Sequence, residues 1–224
     1  MRTRHTCALV LAAAIAATAS SAPQSTAAAP AGNPVIVDRV LARIENDVIT
    51  LSDVRELAAY QRLAGREPAK EPELLRELID QWVVAHDAAA ARFAEPPPKQ
   101  VDAEFNALQN QVGTPEKFAA RLRELDLLPE DVRKLVAKQI FLDSYLDRKF
   151  RAVARVEPGD VEQYYNEQFV PQLKSRNQQI PPLDDVRDSI TDLLIERDIT
   201  QRSQQWIDQA RAQLDIEFPK ERQP

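Results

Sequence analysis

Few side chains in this sequence have the chemistry that catalysis or metal binding requires. The 224 residues include two histidines and one cysteine, and both His5 and Cys7 lie in the first 19 residues. The remaining histidine, His86, falls on the apolar face of a predicted helix, which favours a packed or peripheral imidazole over an acid, base or metal ligand. A metal site needs more His, Cys or clustered carboxylates than this, and the sequence has no Gly-x-Ser-x-Gly nucleophile elbow.

Acidic and aromatic pairs give no stronger indication of a catalytic site. Asp184 and Asp185 are adjacent, but carboxylates at the start of a helix usually act as caps or lie on a solvated face. Tyr164 and Tyr165 could contact a ligand, although helix packing is the commoner role for such residues. We therefore predict a protein that is not an enzyme and that has no catalytic, cofactor-binding or metal-binding residues.

The charge of the chain argues against nucleic-acid binding. The formal net charge is −6, and it becomes −8 if a segment containing Arg2 and Arg4 is removed. Binding to phosphates requires clustered Lys and Arg, and the sequence has no basic run. Its four glycines are too few and too scattered to form a phosphate-binding loop.

The N-terminus has the pattern of a secretory signal. Arg2 and Arg4 precede an apolar run over residues 7–19, and residues 17–19 are Ala-Thr-Ala, a small-residue cleavage pattern. We predict a signal peptide over residues 1–19, with cleavage as late as residue 22 or an uncleaved anchor as alternatives, and a disordered leader over residues 20–34. The cleaved chain would have no cysteine, no disulfide and no membrane span, and would be periplasmic.

The stretch VIVDRVLARIENDVITLSDV, residues 35–54, predicts a β-hairpin followed by a helix. β-Branched residues favour strands, and Asn46-Asp47 is suited to a two-residue turn. Thr50 is a candidate N-cap, with Asp53 completing a capping box. The helix should continue to Leu63 and stop near Gly65, because glycine is favoured just after a helix C-terminus.

The rest of the sequence predicts a series of helices that are separated by Pro and Gly residues. Proline-containing connectors over residues 68–72 and 95–99 separate the first three of them. The predicted helices cover residues 73–93, 100–112, 115–125, 129–153, 161–169 and 184–213, with a polar loop over residues 170–183. The sequence LDIEF, residues 214–218, alternates apolar and acidic residues as a strand does, and residues 219–224 form a tail.

Two strand-like segments at opposite ends of a helical chain predict the fold class. A hairpin alone is marginally stable in water, so residues 214–218 should pair with residues 37–44. The expected fold is mostly α, a multi-helix body with a small β-sheet made by the N-terminal hairpin and the C-terminal strand.

Four segments in this order resemble the SurA N-terminal-domain family of periplasmic chaperones. They are the hairpin of residues 35–54, the helix ELLRELIDQWVVAHDAAAARF, the segment RVEPGDVEQYYNEQF and the terminal helix with LDIEF. The resemblance implies a chaperone domain over residues 35–169, completed by residues 184–218. Relatives that carry a parvulin prolyl isomerase domain place about one hundred residues, an ordinary small-domain length, where this chain has residues 170–183, so the resemblance implies a chaperone without the isomerase.

The expected function is that of an ATP-independent holdase for unfolded outer-membrane or exported polypeptides. One alternative is a structural or assembly subunit that holds one fixed partner, and another is a member of a prolyl isomerase family that lacks the activity. Client binding should rest on apolar side chains of the two shorter middle helices instead of on charge. The client-binding candidates are Phe105, Leu108, Phe118 and Leu122, for which ordinary core packing is the competing role.

Overall fold

The computed structural model describes residues 38–219, so the predicted signal peptide and leader, and residues 220–224, lie outside the described residues. Within that range the chain is mostly helical and contains a small three-stranded antiparallel sheet. This confirms the predicted fold class. Four buried clusters of apolar side chains hold the helices and the sheet together.

The N-terminal hairpin consists of β1 (Val40–Ile44) and β2 (Asp47–Thr50). Ile44 pairs with Asp47, so the turn residues are Glu45 and Asn46, and the predicted turn at Asn46-Asp47 was wrong by one residue. Glu45 adopts the left-handed conformation, with φ of 52°. In this register the Asp47 carboxylate accepts a hydrogen bond from the Trp82 indole N–H at 2.8 Å.

Helix α1 (Leu51–Leu63) begins as the sequence predicts. The Thr50 hydroxyl accepts a hydrogen bond from the Asp53 backbone N–H, and the Asp53 carboxylate accepts one from the Thr50 N–H at 2.7 Å. This reciprocal capping box satisfies backbone donors that the first turn of a helix leaves unpaired. At the other end, Gly65 has φ of 73°, a conformation that glycine adopts without steric strain.

The C-terminal strand β3 (Ile216–Glu217) pairs antiparallel with β1, and the sheet order is β2-β1-β3. The two ends of the described chain therefore share one sheet, as predicted, although the paired part of the C-terminal segment is only two residues long. Ile44 is fully buried beneath this sheet. It packs in the first cluster with side chains of α1 and of the next helix, which supplies the apolar cover that a small sheet needs.

Four further helices form the helical body together with α1. They are α2 (Glu71–Ala90), α3 (Pro98–Val112), α4 (Pro115–Glu124) and α5 (Pro129–Arg151). Prolines occupy the first turn of each of these helices, where a missing backbone N–H breaks no helical hydrogen bond. For this reason α2 begins at Glu71, inside the connector predicted over residues 68–72.

The segment after α5 differs from the prediction. Helix α6 (Pro158–Tyr164) continues through a π-helical turn (Tyr165–Phe169) into α7 (Val170–Ser175). The predicted loop over residues 170–183 was therefore wrong in its first part, and only residues 176–182 connect to α8 (Leu183–Ala212). The π turn ends two residues before Pro171, and Phe169 packs against the fourth cluster.

Helix α8 contacts two different parts of the molecule. Its N-terminal part packs on α6 through Ile190, which is buried with Val161 and Tyr164. Its C-terminal part packs on α2 and α5 through Ile207. The salt bridge from Arg211 to Asp80 adds a polar contact between α8 and α2. One long helix thus joins the α6–α7 segment to the helical body.

Candidate functional site

His86 and the carboxylates are the side chains of the described range whose chemistry suits metal binding. Between residues 38 and 219 no group of three or more His, Cys, Asp or Glu side chains is close enough to hold a metal ion. His86 is exposed and stacks on Trp82, with ring centroids 4.8 Å apart, so of the packed and peripheral positions that the sequence allowed, it occupies the peripheral one. Of the helices in the same range, none combines the length and the apolar character needed to cross a membrane.

The four predicted client-binding residues come together, but inside the protein. Phe105 and Leu108 of α3 and Phe118 and Leu122 of α4 are between 3% and 8% exposed and belong to one buried cluster with residues of α1 and α5. The rings of Phe105 and Phe118 meet edge to face at 5.5 Å. Their burial supports the packing role for these side chains, although Leu108 also reaches the surface described next.

An open groove of about 510 Å³ lies where the end of α1, one side of α3 and one side of α5 meet. We call it the α3–α5 groove. Its size is within the range of ordinary ligand pockets. The lining residues come from all three helices: Tyr60, Ala64, Gln100, Glu104, Ala107, Leu108, Gln111, Val136, Gln139, Ile140, Asp143 and Ser144.

The α3–α5 groove has an apolar floor and a polar rim. Leu108 and Val136 are buried, and Tyr60 and Ile140 are half-buried at its base. The exposed rim residues are amides and carboxylates: Gln100, Glu104, Gln111, Gln139 and Asp143. A surface of this kind accepts an apolar side chain below, while the amides offer both donors and acceptors to polar backbone groups above.

The rim carries two carboxylates, Glu104 and Asp143. Both carboxylate oxygens of Asp143 accept hydrogen bonds from the Gln139 side-chain amide, at 3.0 and 2.9 Å. Burial raises the pKa of the Tyr60 hydroxyl; Arg66 opposes this shift, and the charges of Asp143 and Glu104 raise the pKa further. The charges of Asp143 on α5 and Glu104 on α3 therefore both act on the Tyr60 hydroxyl, and the charge of Arg66 opposes their effect on its pKa.

Two other clefts differ from the α3–α5 groove, one in its volume and the other in its charge. One, of about 250 Å³, lies between β2, α1, α2 and α5 and has half the volume. The other, of about 490 Å³, lies between α1 and the segment after α4 and is lined largely by charged side chains, including Arg55, Arg62, Glu124 and Asp131. The α3–α5 groove is the only one of these three that combines a large volume with an apolar floor.

Sequence reasoning did not identify this groove as a site. Its residues do follow a helical spacing that was visible in the sequence, since Gln100, Glu104, Leu108 and Gln111 lie on one side of α3. The corresponding positions of α5 include Val136 and Ile140. The missing information was that α3 and α5 pack side by side next to the end of α1, which is a tertiary contact.

No family model matches the chain, and a search of curated proteins also gave no match. The resemblance to the SurA N-terminal-domain family therefore stays a prediction made from the sequence.

Proposed function

We propose that the protein is an ATP-independent holdase that binds short apolar segments of unfolded polypeptides in the α3–α5 groove. The observation that supports this proposal most directly is the open groove with a floor of Tyr60, Leu108, Val136 and Ile140. Unfolded chains expose apolar side chains, and burial of that surface is worth about 25 cal/mol per Å² before the ordering cost. The proposed clients are outer-membrane or exported proteins, and the proposed compartment is the periplasm.

The proposed mechanism requires no chemical energy. A groove that remains open on one side binds its client through contacts that form and break reversibly, and release needs no nucleotide. The net negative charge of the chain, −6 for the full sequence, keeps copies of the carrier apart in solution. The proposal includes neither a catalytic step nor a prolyl isomerase activity.

The test fills the groove without disturbing the core. Ala107 is exposed on α3 and lines the groove, so Ala107→Trp should obstruct it. The matched control is Ala103→Trp, which makes the same substitution at an exposed position one turn earlier on α3, outside the groove lining. Both variants should unfold within about 0.5 kcal/mol of the wild-type protein, as is usual for surface substitutions.

The measurement is suppression of aggregation for several unrelated unfolded proteins, without ATP. The wild-type protein and Ala103→Trp should suppress aggregation of all of them, and Ala107→Trp should do so severalfold less well. Equal activity of the two variants would show that the groove is not the binding surface. If the wild-type protein protects no unrelated client but binds one partner tightly, it is a structural or assembly subunit instead.

A further inference from the structure

The two carboxylates on the rim of the α3–α5 groove face it from opposite walls. Glu104 belongs to α3 and Asp143 to α5, and both side chains are exposed. Within residues 38–219 neither of them forms an ion pair; the only side-chain partner of Asp143 is the neutral amide of Gln139. By contrast Asp102, also on α3 but outside the groove lining, pairs with Arg133 at 3.4 Å. Of these three carboxylates, the two without an ion pair in the described range are thus the two that line the groove.

The length of the groove limits what it can hold. The lining residues of α3 run from Gln100 to Gln111, about 16 Å along the axis at 1.5 Å per residue. An extended peptide advances about 3.3 Å per residue. The groove therefore spans roughly five residues of an extended chain, long enough for one apolar side chain on the floor and one neighbour on either side at the rim.

From the apolar floor, the two rim carboxylates and the length of the groove, we infer that the α3–α5 groove selects extended peptide segments in which a large apolar residue is flanked on both sides by Lys or Arg. The apolar side chain occupies the floor formed by Tyr60, Val136 and Ile140. The flanking cations approach Glu104 on one wall and Asp143 on the other. This inference rests on the proposed holdase function and adds a substrate preference to it, because the apolar floor supplies most of the affinity and the carboxylates supply discrimination.

Two other charges must be considered with these carboxylates. Arg66 acts on the Tyr60 hydroxyl against Asp143 and Glu104, so one end of the groove is less negative than the other. The chain as a whole is also acidic and attracts any cationic peptide to some degree. An experiment must therefore separate the local effect of the two carboxylates from the effect of net charge.

The probes are two fluorescent pentapeptides, Ser-Lys-Phe-Lys-Ser and the same peptide with Glu in place of each Lys, measured by anisotropy at low salt. The wild-type protein should bind the Lys peptide about three- to tenfold more tightly than the Glu peptide, since exposed ion pairs contribute modestly. The double variant Glu104→Gln with Asp143→Asn should bring this ratio close to one. The control double variant, Glu162→Gln with Asp192→Asn, changes net charge equally at exposed positions of α6 and α8 and should retain most of the preference.

The outcomes separate this inference from the proposed function. A preference for the Lys peptide that survives Glu104→Gln with Asp143→Asn, or that both double variants reduce equally, overturns it. Equal binding of the two peptides by the wild-type protein, or aggregation suppression without binding of either, also overturns it and leaves the holdase proposal standing. If the wild-type protein neither binds a peptide nor suppresses aggregation, the holdase proposal itself has failed.

Discussion

Lys149 of α5 donates a hydrogen bond to the Asp87 carboxylate of α2 at 2.5 Å, while its ammonium lies 4.1 Å from the centre of the Trp206 ring on α8. The Tyr145 hydroxyl donates to the same carboxylate. One carboxylate and one ammonium therefore connect the three longest helices of the described chain. Lys149 and Asp87 are only partly exposed, so water screens their interaction less than it screens a surface pair.

Replacing this lysine should destabilise the protein measurably. Lys149→Met keeps the apolar stem but removes the charge, which leaves Asp87 without its ion-pair partner and removes the cation–π interaction with Trp206. We expect the free energy of unfolding to fall by about 1–2 kcal/mol in chemical denaturation. The control is Lys134→Met, which breaks an exposed pair with Asp131 and should change stability by less than about 0.5 kcal/mol. Equal effects of the two substitutions would contradict the role of Lys149.

The same carboxylate should make stability depend on pH on the acid side. Burial raises the pKa of Asp87, but hydrogen bonds from Lys149 and Tyr145 outweigh burial and hold the pKa below its usual value. A carboxyl group with a lower pKa in the folded state stabilises the protein above its unfolded pKa, near 4. That stabilisation is lost as the pH falls through the folded pKa. The difference in unfolding free energy between the wild-type protein and Asp87→Asn should therefore shrink from pH 6 to pH 3, and a constant difference would refute this assignment.

On the alkaline side the relevant group is Tyr145. Burial and the hydrogen bond to Asp87 raise the pKa of its hydroxyl to about 12. Because the folded state keeps this proton longer than the unfolded state does, the stabilisation is complete below about pH 10 and is lost as the pH rises through the folded pKa. In a spectrophotometric titration near 295 nm, the wild-type protein and Tyr145→Phe should show the same number of tyrosines ionising in the ordinary range, because Tyr145 ionises only at higher pH. Identical titration curves per tyrosine would contradict the shift.

The buried position of Phe118 predicts a structural effect of its removal. Its ring meets Phe105 edge to face in the second cluster, so Phe118→Ala should lower the free energy of unfolding by about 3–5 kcal/mol. Phe218→Ala is the control, because that ring is 59% exposed and should contribute little. If Phe118→Ala leaves the free energy of unfolding unchanged but weakens client binding, Phe118 belongs to the binding surface instead of the core.

The absence of isomerase activity stays a prediction that solution assays can test. The barrier to rotation about the peptide bond is roughly 18–20 kcal/mol, and lowering it requires a dedicated site. In a refolding reaction limited by proline isomerisation, catalytic amounts of the purified protein should leave the rate unchanged. Acceleration that persists through purification and rises linearly with protein concentration would contradict this prediction.

The local sequence was sufficient to predict those features that depend on residues only a few positions apart. The Thr50–Asp53 capping box, the helix starts at Pro115 and Pro129 and the end of α1 near Gly65 were all predictable, because capping and proline preferences act within a few residues. The pairing of β3 with β1 was also predictable, since two isolated strand-like segments had only each other as additional partners.

Tertiary contacts decided the remaining features. The hairpin turn shifted by one residue, to Glu45-Asn46, in a register that brings Asp47 to Trp82. Phe105, Leu108, Phe118 and Leu122 have the same helical spacing whether they line a groove or fill a core, and only the packing of α1, α3, α4 and α5 around them buried all four. The sequence by itself determined which faces of the helices are apolar, because periodicity is a local property. Which apolar face is covered and which remains open as the α3–α5 groove depends on helices far apart in the chain, whose contacts no local pattern contains.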